Sequence, residues 1–114
     1  MQNLEESGEE LATHEIDLGM HRRGEVNESL LRAFGGIVKL LMKHMFGGSP
    51  IPVKVKGSRQ EIEAFTKVLA GERRYLQTWS KYGLDNPQTY KNKYKLNQLV
   101  GKFERVTGLK WPFK

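Results

Sequence analysis

Residues 57–87 read GSRQEIEAFTKVLAGERRYLQTWSKYGLDNP. This stretch sets a long helix, both of its ends and the start of the next helix. Ser58 and Glu61 have the spacing of a capping box. In that motif the hydroxyl accepts from the Glu61 N–H while the carboxylate reaches back to the Ser58 N–H. At about 100° per residue, Ile62, Phe65, Val68, Leu69, Tyr75, Leu76, Trp79 and Tyr82 share one broad apolar arc. Gly83 is the natural stop, with Leu84 expected to fold back. A bend is expected near Gly71. Asp85 or Asn86 caps a further helix, and Pro87 suits its first turn. Leu96, Leu99, Val100, Phe103 and Val106 form that helix's apolar stripe, and Gly108 ends it. The two helices make an αα-hairpin. Leu109, Trp111, Pro112 and Phe113 are an apolar ending expected to fold back onto the body.

Upstream, Ile51, Val53 and Val55 alternate with Pro52, Lys54 and Lys56. Ile16, Leu18 and Met20 alternate with Glu15, Asp17 and Gly19. Each run has the period of a short strand. Pro52 pushes its strand towards a sheet edge. His21-Arg22-Arg23-Gly24 reads as a turn. Asn27 caps a helix to about Phe46, striped by Leu30, Leu31, Phe34, Ile37, Val38, Leu41, Met42 and Met45. Gly47-Gly48-Ser49-Pro50 ends it. Gly35-Gly36 inside it reads as a kink, a close backbone crossing or a plain weak point. A helix between two strands makes them parallel, with a right-handed crossover. Two strands alone make a weak sheet, which invites pairing with the edge of a second copy. The expected fold is α+β: a short two-stranded βαβ unit followed by an αα-hairpin. Residues 1–12 are Glu-rich and expected to be a disordered acidic tail. Residues 13–114 form a single domain.

Charge divides unevenly along this frame. Residues 1–25 carry seven acids against Arg22 and Arg23, a net of −5. The whole chain is +6, which leaves +11 on residues 26–114. Such a body attracts polyanions. There is no cysteine, so disulfides, thiolate metal sites and cysteine nucleophiles are excluded. The acidic start is no secretory signal. The longest apolar run, Ile37 to Phe46, is interrupted by Lys39, Lys43 and His44. It falls well short of the roughly 20 residues that span a bilayer. The expected location is cytoplasmic, with no membrane partner.

The densest ordered charge is on the last helix. Lys91, Lys95, Gln98, Lys102 and Arg105 are spaced i, i+4, i+7, i+11 and i+14, a single stripe offset from the apolar one. Lys93 and Lys110 flank it. Lys54 and Lys56 project from the second strand, and Arg73 and Arg74 from the long helix. Cations gathered on one face contact phosphates and release counterions. Tyr90 and Tyr94, one turn apart, suit stacking on unpaired bases. The competing reading is a solvated helix face with both tyrosines in the core. The candidate nucleic-acid-binding residues are Lys54, Lys56, Lys91, Lys93, Lys95, Lys102 and Arg105.

Other features point less far. Glu72 falls inside the long helix's apolar arc, so it is either a general acid/base or interface switch, or a structurally paired or locally solvated carboxylate. His14, His21 and His44 show no metal-ligand spacing. No glycine-rich phosphate loop or nucleophile elbow is present. The first helix would suit an anionic membrane surface, but core packing is the cheaper explanation, because another element must cover that stripe anyway. No catalytic group and no cofactor is expected.

From Val53 to Lys114, the runs VKVKGSRQEIEAF, KYGLDNPQTY and FERVTGLKWPFK resemble small uncharacterised proteins of T4-like tailed phages. The resemblance covers the C-terminal half and includes no catalytic motif. It implies a virus-encoded accessory or virion-associated protein, in the host cytoplasm or the virion. The leading expectation is a small non-enzymatic protein binding nucleic acid or another polyanion. The alternative is a structural or protein-interaction module, virion-associated or host-protein-binding and possible as a homo-oligomer.

Deleting residues 1–12 removes Glu5, Glu6, Glu9 and Glu10 and no base, moving the net charge from +6 to +10. Polyanion affinity should then rise, most at low ionic strength where screening is weak. Titration of a labelled oligonucleotide at two salt concentrations checks this. Equal affinities would leave the segment no shielding role.

Overall fold

A computed structural model describes residues 14–47 and 53–113, with side chains at all of these except 45–47. Strand β1 (His14–Asp17) leads to helix α1 (Glu28–Gly47), strand β2 (Val53–Lys56), helix α2 (Arg59–Tyr82) and helix α3 (Pro87–Thr107). The strands pair in parallel, with His14 opposite Val53 and Asp17 opposite Lys56. The fold is α+β, a βαβ unit followed by a helical hairpin. The expected acidic tail, the Gly48-Ser49-Pro50 stop and the Ile51-Pro52 start of the second strand lie outside the described residues.

β1 is shorter than its alternating pattern. The Asp17 carboxylate accepts from the Gly19 N–H at 3.0 Å. This local bond turns the chain where alternation alone would continue the strand. Leu18 still donates its N–H to the Lys56 carbonyl at 2.8 Å. Leu18 and Met20 remain buried, reached through a turn rather than a strand.

The helix ends follow their capping chemistry. Leu30 N–H donates to the Asn27 side chain at 2.9 Å and begins α1. α1 then runs unbroken through Gly35-Gly36. A Cβ on Gly35 would only touch Pro112 at 3.7 Å, and one on Gly36 would meet open space. Neither glycine marks a tight crossing. At α2, Ser58 accepts from the Glu61 N–H at 3.2 Å and donates its own N–H to Glu61 Oε1 at 2.7 Å. Gly83 closes α2 with φ 82° and an N–H bond to the Trp79 carbonyl at 2.8 Å. Leu84 does not fold back: it is 59% exposed. The Thr89 hydroxyl takes that place, donating to the Gly83 carbonyl at 2.7 Å. Asn86 caps α3 through the Gln88 N–H.

The core lies between the sheet, α1 and the α2–α3 hairpin. Phe34 stacks on Phe103 at 6.1 Å, and Phe65 tilts against the same ring. α2 runs uninterrupted through Gly71. A Cβ there would stand 2.9 Å from Leu99 Cδ1 and 3.4 Å from Leu96 Cδ1. The glycine therefore serves close approach of α3. The C-terminal residues fold back as expected, with Leu109 and Trp111 buried.

Glu61 ties two regions together. It is 3% exposed, and Arg22 from the 18–24 turn grips it through Nε at 3.2 Å and a terminal nitrogen at 3.1 Å. The Arg22 bonds, opposed by burial and helped by the Ser58 N–H, hold its carboxyl below the ordinary 4.5. A depressed folded pKa gives stability that is present above the ordinary value and lost as pH falls through the folded one. E61Q should therefore cost about 1–2 kcal/mol at neutral pH, allowing for the half-exposed arginine. The gap should close below pH 4, as read by urea denaturation across pH. A pH-independent gap would refute the ionic contribution.

Candidate polyanion-binding face

Burial orients α3. Leu96, Val100 and Phe103 face the core, and Thr89 and Thr107 are buried in line with them. The opposite side must then face solvent. At about 100° per residue, Tyr90, Tyr94, Arg105, Gln98, Lys91, Lys102 and Lys95 span an outward arc of about 140°. All seven are exposed. From Lys91 to Arg105 the arc is about 21 Å long.

No acid of α3 falls inside this arc. Glu104, the helix's one carboxylate, lies about 40° beyond the Tyr90 edge. It turns inward and accepts from the Trp111 N–H at 2.8 Å. Among the described residues, no ion pair takes up Lys91, Lys95, Lys102 or Arg105.

The tyrosines are not in the core. Tyr90 is 58% exposed and Tyr94 64%. The Tyr90 hydroxyl donates to Asp85, and Tyr94 accepts from the Gln98 amide at 3.2 Å. Asp85, by bonding and by charge, pushes the Tyr90 phenol above its ordinary value. Each ring is thus anchored by its hydroxyl with its faces open.

The other cations stand elsewhere. Lys93 Nζ lies 4.9 Å from the Tyr75 ring centroid, over the seam with α2. It does not flank the stripe. Lys54 sits opposite Glu15 in the strand register and Lys56 opposite Asp17. Lys56 Nζ is also 4.0 Å from Glu15. Lys56 does line a cleft with Val106, near the Arg105 end of the stripe. The arginines of that cleft are already engaged. Arg22 holds Glu61, while Arg23 holds Asp17 and Glu25.

Two further features escape a reading of the sequence alone. A groove of about 820 Å³ lies between α1, α2, α3 and the C-terminal residues, with Lys39, Tyr75, Lys93 and Phe113 among its walls. Trp79, Tyr82 and Leu84 are exposed together at the tip of the hairpin. The signal was their position at the end of α2, beyond the part that the core covers.

Glu72 is 5% exposed and paired. Its Oε2 accepts from the Trp111 indole N–H at 2.7 Å. Burial pushes its carboxyl above the ordinary 4.5, against the pull of that bond and of Lys93. The structural reading of Glu72 accounts for this geometry. Among the described residues, no group of His, Asp and Glu is placed to hold a metal ion, and no helix is long and apolar enough to cross a membrane. No family model matches the chain, and neither a curated protein nor a solved structure does.

A raised folded pKa gives stability that is full below the ordinary value and lost as pH rises through the folded one. E72Q keeps an acceptor for Trp111 without the buried charge. Its Tm should match the wild type at pH 4 and exceed it at pH 7.5, a gap that scanning calorimetry would read. A lower Tm at both pH values would mean that the ionised carboxylate is preferred.

Proposed function

We propose that this chain is a small non-enzymatic accessory protein that binds nucleic acid or another polyanion through the exposed arc of α3. The observation that carries this reading is the cationic arc itself. Four cations project from one helix over about 21 Å, with the helix's own carboxylate, Glu104, turned away and Asp85 at the Tyr90 end bonded to that tyrosine's hydroxyl. Each phosphate contact releases counterions, so binding is electrostatic and weakens with salt. Nothing in the arc forms a base-reading motif, so affinity rather than sequence recognition follows. The resemblance to small T4-like phage proteins supports an accessory role in the host cytoplasm or the virion.

A second reading is a protein-interaction module, and the hairpin tip favours it. Trp79, Tyr82 and Leu84 present apolar and aromatic surface outside the core, of the kind enriched at interfaces. The two-stranded sheet adds a second surface for contact between copies, since among the described residues each strand has one unpaired edge.

The readings separate in one set of measurements. With the polyanion reading, a plot of log affinity against log salt should slope at about −2 to −4. The K91E/K95E/K102E variant should lose binding at 50 mM salt while keeping its helical circular dichroism. No retention of DNA or RNA by the wild type at low salt would overturn the proposal. A defined oligomer by sedimentation, lost on charged substitution of Trp79, would favour the module.

A further inference from the structure

We infer that the α3 arc takes single-stranded nucleic acid in preference to duplex, because stacking rings, an open notch and phosphate-binding cations share it. The inference rests on the polyanion reading and narrows it.

The rings come first. Tyr90 and Tyr94 lie within about 40° of one another on the helix and about 6 Å apart along it. Their hydroxyls are fixed by Asp85 and Gln98, so the rings are ordered before any ligand arrives. Ordered side chains lose less freedom on binding. An unpaired base offers its flat face to such a ring, whereas a base within a duplex is already stacked on both sides.

The notch is Gly101. It falls between the two tyrosines in angle and about two turns beyond Tyr94. Glycine weakens a helix interior, and here packing does not demand it. A Cβ at Gly101 would meet nothing nearer than an Arg105 guanidinium nitrogen at 3.5 Å. Gly71, in contrast, has Leu99 at 2.9 Å from where its Cβ would be. The bare backbone at 101 leaves room for a methyl group beside the Arg105 guanidinium, in the wall of the groove that Glu104 also lines. A planar cation next to a recess suits a further base, by stacking and cation–π attraction. Lys91, Lys95 and Lys102 lie on the far side of the same arc, where the strand's phosphates would run.

Fluorescence anisotropy tests this at 50 mM salt with labelled 12-nucleotide oligo-dT, oligo-rU and a 12-base-pair duplex. At least one single strand should bind about tenfold more tightly than the duplex. The oligo-rU arm separates RNA from DNA, and the margin in either supports the inference. Y90A/Y94A should weaken single-strand binding about tenfold and leave duplex binding unchanged, while Y90F/Y94F should stay within about threefold of the wild type. G101A should raise Tm by about 4 °C yet weaken single-strand binding. A stabilised protein that binds less well is an outcome a purely structural glycine does not give.

Equal affinity for strand and duplex, unmoved by the tyrosine variants, would overturn the inference and leave the polyanion reading standing. Unchanged affinity in G101A would remove the notch. No binding to any oligonucleotide would overturn both. Tighter binding to vesicles of anionic phospholipid than to every oligonucleotide would also overturn both, in favour of a membrane surface.

Discussion

Trp111 stands edge-on to Phe103 at 5.2 Å and to Phe65 at 6.1 Å, and its indole N–H donates to Glu72 at 2.7 Å. Its backbone N–H is held by Glu104 at 2.8 Å. One residue near the C-terminus thereby joins α2, α3 and the centre of the core. The aromatic contacts need the α2 and α3 faces turned inward, and the two N–H bonds fix the roll of each helix. Once Phe103 and Leu96 are committed to that core, the opposite side of α3 has no choice but solvent. The orientation of the cationic arc is a consequence of core packing.

The carboxylates share that logic. Glu61 is spent on the α2 cap and Arg22, Glu72 on the indole, and Glu104 on the Trp111 backbone. Asp17 and Glu25 hold Arg23, and Glu15 lies near Lys56. A chain with thirteen acids and nineteen bases therefore does more than carry surplus positive charge. It places several acids against internal donors and strand or turn cations, and keeps them off the outer side of α3. A polyanion approaching that side meets lysines that no described carboxylate pairs, unlike Arg22 and Arg23, and one acid, Asp85, at the Tyr90 end.

Much of this was legible wherever a local rule acts alone. The Ser58–Glu61 box, the Asn27 and Asn86 caps, the Gly83 and Gly108 stops and the return of Trp111 all depend on neighbours in sequence. Alternation at Ile16, Leu18 and Met20 named the buried residues but not the strand's end, because the Asp17 side chain competes for the backbone. The apolar arc of α2 named Trp79 and Tyr82 as core. A helical wheel assumes cover along the whole helix, and the core does not reach the last turn. Lys93 was readable: its angle sets it far from Lys91 and Lys95, towards α2. So was the exposure of Tyr90 and Tyr94, which fall by angle on the outward side. Gly71 and Gly101 look alike in sequence, and only the position of the Leu99 methyl distinguishes them.

That last contrast bears on how the arc came to be built as it is. At Gly71 the missing side chain is a packing necessity, since a methyl group would strike Leu99. At Gly101 the same omission lowers helix stability by roughly 1 kcal/mol relative to alanine, with space available for the methyl group. A domain of this size has a stability of only about 5–15 kcal/mol. In the same helix, two aromatic rings are held out in water by hydrogen bonds to their hydroxyls, although burying aromatic surface is among the larger gains open to a fold. Core packing explains neither choice. Both lie on or beside the side of α3 that carries the lysines, and both have a physical reason if that side closes on flat, negatively charged chain.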